Sequence, residues 1–219
     1  MKNLFSTSIG KKFAMAISAI FLMIFLLQHF IINITSVFSE DIFNMLSHFM
    51  GTNPLVQFIL QPILIAGVLF HFIMGFYLEI QNRKAAKYEY QKEKGSANST
   101  WMSRNMITSG LVILAFLVLH FIDFWVPEMN YKYIEFLPED PNRYYEELVH
   151  KFENPLRVAM YCVSFVLLAL HLLHGFTSSL RSMGTNKSYV SSAKTAGIVY
   201  SIGIPLGFCI IAIFHYLSH

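Results

Sequence analysis

The sequence predicts an all-α integral membrane protein, a bundle of five transmembrane helices. Three observations predict it. Of 219 residues, 55% are apolar and only 13% are charged, where an ordinary soluble domain carries about 25% charged residues. The apolar residues gather in five runs, each near the roughly 20 residues a helix needs to cross the hydrocarbon layer. The runs lack period-two alternation, which argues against a membrane barrel. Helices satisfy their own backbone groups in lipid, so the runs read as spans. High hydrophobicity excludes intrinsic disorder. Two cysteines, Cys162 and Cys209, cannot staple a secreted scaffold. A net charge of +3 is too weak to suggest a nucleic-acid partner.

The spans fall at about 13–37, 55–79, 105–126, 156–177 and 196–217, within a single membrane domain covering 1–219. The first run is too long for a secretory signal, and no small-x-small cleavage site ends it. The second leads into a basic loop, 80–104, with a Gly95–Thr100 turn of Gly, Ser, Ala, Asn, Ser and Thr. The third and fourth flank an outer loop, 127–153, which holds seven acids and several aromatics and reads as a small ordered cap. No repeat of fixed period is visible. Twelve of the sixteen Lys and Arg lie on the side of the N-terminus, the 80–104 loop and the 178–195 loop. The other four are Lys132, Arg143, Lys151 and Arg157. The positive-inside bias therefore puts the N-terminus in the cytoplasm and the C-terminus on the outer, periplasmic side. The chain is expected in a bacterial cytoplasmic (inner) membrane.

The histidines carry the chemistry. Six of nine lie within spans: His29, His71, His120, His171, His174 and His215. Ionisable residues inside a membrane are costly and functional by default. The spans hold almost no carboxylate; Glu79 and Asp123 lie near span ends. Imidazoles without carboxylates favour a soft-to-borderline metal over a hard-cation site. Structural zinc wants Cys and His at close spacing, which is absent here. Haem needs only axial imidazoles, and two of them block both iron faces, which suits electron transfer. Depth then pairs the residues. His29 and His120 sit about eight and six residues from outer span ends, roughly 10 Å below the surface at about 1.5 Å per residue. His71 lies about eight residues above an inner end, and His174 or His171 about three or six. One pair is expected near each face, His29 with His120 outside and His71 with His174 or His171 inside.

Local context adds weaker candidates. Gly67, His71 and Gly75 share one helix face, and Gly175 follows His174. Such glycines would let a flat macrocycle approach, or let helices pack. Arg83 and Arg181, at cytoplasmic helix mouths, could pair with haem propionates or simply anchor the helices. Gln57 and Gln61, four residues apart near the outer end of the second span, are candidate quinone contacts.

Four motifs in order resemble a known family: Leu26-Leu27-Gln28-His29, Leu69-Phe70-His71-Phe72, Leu117-Val118-Leu119-His120 and Leu170-His171-Leu172-Leu173-His174-Gly175. The chain resembles, over essentially its whole length, the dihaem cytochrome b subunit (the b558 family) of succinate dehydrogenases and fumarate reductases, the succinate:quinone oxidoreductases. The resemblance implies two haem b groups, with His71/His174 on the inner iron and His29/His120 on the outer. Its His-Gly dipeptide selects His174 over His171. Where some members carry a glutamate two residues before the fourth ligand, this chain has Leu172. The resemblance further implies a flavoprotein (FAD) subunit and an iron–sulfur subunit on the cytoplasmic face. It implies menaquinone as the quinone, and it allows a dimer of the whole complex. The chain has neither the Cys runs of iron–sulfur proteins nor a Gly-rich dinucleotide fingerprint. Dicarboxylate chemistry is therefore expected in the partners. The rival readings are the cytochrome b anchor of a hydrogenase or formate dehydrogenase, and a haem-free transporter relaying protons through histidines.

Overall fold

The computed structural model describes residues 7–89 and 106–218, and every regular element among them is helical. Five helices are long and apolar enough to cross a membrane: Ser8–Val37, Val56–Lys84, Met106–Tyr133, Pro155–Ser182 and Ser192–Ser218. The chain is thus an all-α bundle with five transmembrane helices. In chain order the elements are α1 (Ser8–Ile34), α2 (Glu40–Thr52), α3 (Gln61–Glu89), α4 (Met106–His120), α5 (Val126–Tyr133), α6 (Arg143–Phe152), α7 (Pro155–Ser182) and α8 (Lys187–Ser218). The Gly95–Thr100 turn, the basic residues Lys2, Lys92, Lys94 and Arg104, and His219 lie outside the described residues.

Helix ends follow local chemistry. Thr7 caps α1 by accepting from the Gly10 N–H at 3.0 Å. Ser39 caps α2, with Glu40 and Asp41 complementing the dipole in its first turn. Asn154 caps α7 ahead of Pro155, which has no N–H to lose. Gly184, at φ 79°, ends α7 where an L side chain would be strained, and the Thr185 N–H reaches back to Leu180 O. Two π-helical turns interrupt the spans, Val56–Leu60 before α3 and Phe121–Trp125 after α4. Each adds a residue to a turn and shifts the faces beyond it.

The core lies towards one end of the bundle, where Phe43, Leu148, Phe152, Val158, Tyr161, Phe165, Ile204, Phe208 and Ile211 gather. They come from α2, α6, α7 and α8, so the short helices close over the long ones. The segment 38–54 between the first two expected spans is largely α2, and the expected outer loop 127–153 holds α6 and most of α5. Helices approach closely where residues are small. The Phe30 ring seats on Gly207 and the Phe176 ring on Gly197. Elsewhere the long helices present Leu, Ile, Val and Phe outward, as lipid-facing surfaces require.

Candidate functional site

Helices α1 and α3 run antiparallel, which sets Ser18 beside His71. Ser18 Oγ donates to Met15 O at 2.8 Å and lies 3.1 Å from His71 Nδ1. A carbonyl only accepts, and a hydroxyl has one hydrogen, so the serine's hydrogen is committed to Met15. His71 Nδ1 must then carry the proton and donate to Oγ. That tautomer leaves Nε2 with a free lone pair. Helices α4 and α7 repeat the arrangement. Ser109 Oγ donates to Met106 O at 2.9 Å and lies 3.3 Å from His171 Nδ1. The rings of His71 and His171 meet with centroids 6.4 Å apart.

The repetition extends along both helix pairs. Met15, Ser18 and His29 on α1 match Met106, Ser109 and His120 on α4, residue for residue in spacing. His71 and Gly75 on α3 match His171 and Gly175 on α7. Met15 Cε packs 3.5 Å from where a Cβ on Gly75 would stand, and Met106 Cε 3.9 Å from that of Gly175. The bundle therefore contains two similar halves, a pattern that a search for fixed periods passes over because the connecting segments differ in length. Within it the counterpart of His71 is His171. The sequence expectation put His174 in that place. His174 lies three residues further on, on the same side of the helix but turned about 60° around its axis and about 4.5 Å along it. The ring contact to His71 belongs to His171.

Eleven residues separate Ser18 from His29 and Ser109 from His120. That is three helical turns, so each histidine shares its serine's face about 16 Å along the axis. There the His29 and His120 rings approach to 5.7 Å between centroids, nearly perpendicular at 88°. Phe25 stacks on His29, Phe208 flanks it, and Phe116, Phe124 and Tyr161 surround His120. Among the described residues no serine clamps these rings. Asn33 Nδ2 donates to His29 O at 2.8 Å and lies 3.4 Å from both ring nitrogens. His120 Nδ1 is buried with no hydrogen-bond partner among the described residues.

Beyond His120 the π turn places Asp123 inside, 3% exposed. Its carboxylate accepts from Arg157 Nη1 at 2.6 Å and Tyr161 OH at 2.8 Å. Sequence spacing gives no sign of this triad, because the π turn reorients Asp123 and the partners lie on another helix. His215 is fully buried, its Nε2 2.9 Å from Ser36 Oγ and its ring against Tyr145.

The weaker candidates fare unevenly. The Phe21 ring packs over Gly67, 2.7 Å from a would-be Cβ, so a helix–helix contact uses the space that glycine leaves. Arg83 pairs with Glu79 on its own helix at 2.7 Å and is exposed. Arg181 is exposed at the end of α7. Gln57 and Gln61 do not hold the simple i, i+4 relation, because the π turn makes the Gln61 N–H donate to Val56 O, five residues back. Gln57 Oε1 accepts from Tyr133 OH at 3.0 Å and lines a cavity of about 240 Å³ with His48, Tyr131, Arg143 and Tyr144. Gln61 is not among the residues lining it.

Above this cavity α5 and α6 are tied by charge. Glu128 bridges Lys132 and Arg143, and Arg143 also pairs with Glu147 at 2.6 Å. Burial opposes the Arg143 charge, but hydrogen bonds to Glu128 and Glu147 outweigh it and hold the guanidinium above its usual range. Burial, then the Glu128 charge, pushes the Tyr144 phenol up to about 12. No family model, curated protein or solved structure matches the chain.

Proposed function

We propose that the chain is the membrane-anchor cytochrome b subunit of a succinate:quinone oxidoreductase, carrying electrons between an iron–sulfur subunit and menaquinone. The single observation behind this reading is the meeting of imidazoles from four separate helices in two pairs about 16 Å apart along the bundle. The donor chemistry fits haem. The paired imidazoles at each level are the donors that would hold a haem iron. The inner rings stand 6.4 Å apart and the outer rings 5.7 Å apart between centroids. Bound haem would supply one-electron chemistry there.

In this reading His29 and His120 hold the outer iron, and His71 and His171 the inner one. The serine-matched geometry is the reason for preferring His171 to His174. The aromatic rings around His29 and His120 exclude water from that iron. Gln57 and Tyr133 offer hydrogen bonds to a quinone headgroup at the mouth of the outer cavity. The flavoprotein and iron–sulfur subunits would dock on the cytoplasmic face with its excess of Lys and Arg. Purification through a tag on this chain tests the assignment. The expected result is a flavin-bearing and an iron–sulfur subunit in the same complex, with succinate-dependent reduction of a naphthoquinone. Recovery of a hydrogenase or formate dehydrogenase partner overturns it.

A further inference from the structure

We infer that Ser18 and Ser109 are a matched pair of positioning residues, each locking one imidazole of the inner pair, His71 and His171, in the tautomer that leaves Nε2 free to bind a metal. The inference rests on the haem reading for the iron alone; the tautomer it assigns belongs to the chain itself. Three features carry it. Each serine is oriented by its own backbone, through the bond to the carbonyl three residues earlier. Each lies within hydrogen-bond distance of Nδ1 on the neighbouring helix, at 3.1 and 3.3 Å. The two sites recur at equivalent places in the two similar halves, with methionine before each serine and glycine after each histidine.

A coordinating histidine generally donates its other N–H to an acceptor, which fixes the ring and raises its basicity. Here that acceptor is a serine hydroxyl twice over. A more basic imidazole stabilises ferric over ferrous iron, so each clamp lowers the inner potential. The outer pair has no such clamp among the described residues, and the two irons would differ in potential for that reason. The direction is definite: loss of either hydroxyl raises the inner potential and leaves the outer one in place.

The test uses the whole chain in its complex, with Ser18→Ala, Ser109→Ala, the double variant and the matching Ser→Thr variants. Threonine keeps the hydroxyl and can make the same backbone bond. Optical redox titration should show one component moving upward in each alanine variant and further in the double variant. That component should be the one absent from His71→Ala. The threonine variants should titrate near the parent. Weakened haem retention, roughly tenfold, is expected for alanine and not for threonine. A second measurement does not need haem. Nitrogen-15 signals of the ring nitrogens in the haem-free chain should report Nδ1–H at His71 and His171, and a mixture of tautomers once serine is alanine. Unmoved potentials, movement of the component lost in His29→Ala, equal effects of Ala and Thr, or Nε2–H rings in the parent each overturn the inference. A parent complex with no haem but serine-dependent tautomers overturns the haem reading and leaves the clamp standing.

Discussion

Asp123 is the residue whose environment makes the firmest energetic demand. Its carboxylate is 3% exposed and satisfied by Arg157 and Tyr161. Removing one partner of a buried ion pair costs roughly 3–5 kcal/mol, because the other charge is left stranded. Arg157, with its side chain 31% exposed, can still reach water, so Asp123→Ala should fall at the lower end of that range. Thermal denaturation in detergent checks it. The Tyr161 ring lies 6.3 Å from His120, so the same variant should also perturb the outer haem's spectrum and leave the inner one alone. The histidines show what single residues reveal before a structure exists. His29 and His120 could be paired by depth because each stands alone on its helix. His171 and His174 could not be separated that way. They differ by about 4.5 Å in depth, within the uncertainty of a span boundary, and as an i, i+3 pair they share one side of the helix. The signal that separates them is the paired Met–Ser–His and His–Gly spacing, which the sequence does contain.

Elements differ in how openly they declare themselves. The five spans are legible because unbroken apolar length has few other uses in a chain this poor in charge. Helix α2 is less so. Its segment follows a membrane run and carries Phe43, Met45, Leu46 and Phe49, which blur the end of one helix and the start of another. The π turns are invisible to pattern reading, since one extra residue per turn leaves hydrophobicity unchanged. They matter because they set which way Asp123 and Gln57 face. The cap formed by α5 and α6 carries a pH prediction. Tyr144 is an acid whose folded pKa, about 12, exceeds the ordinary value of 10. The folded cap therefore favours the neutral phenol. Its stability is unaffected by this group below about pH 10 and falls between about 10 and 12, where the unfolded chain ionises first. Amide exchange in α6 should accelerate over that window in the parent, and Tyr144→Phe should remove that contribution. Glu128→Gln weakens the link from Arg143 and Lys132 and should loosen the same helix at neutral pH.

At the scale of the molecule, two similar halves clasp each other, α1 with α3 and α4 with α7, while α8 packs most extensively against α7. Each half gives one imidazole to each pair. That arrangement makes the two members of each pair interdependent, and in the haem reading deletion of one member should cost that pair's haem and leave the other. The orientation proposed from the Lys and Arg excess is tested by single cysteines in a background without Cys162 and Cys209. Thr185→Cys should resist an impermeant thiol reagent in intact cells, and Asn142→Cys should react. The central claim is tested most directly by redox titration of the optical spectrum across His29→Ala, His71→Ala, His120→Ala, His171→Ala and His174→Ala. The account predicts two b-type components in the parent. His29→Ala and His120→Ala should lose one of them, His71→Ala and His171→Ala the other, and His174→Ala should keep both. A haem-replete preparation without a b-type band, or variants that do not sort into those two couples, would contradict it.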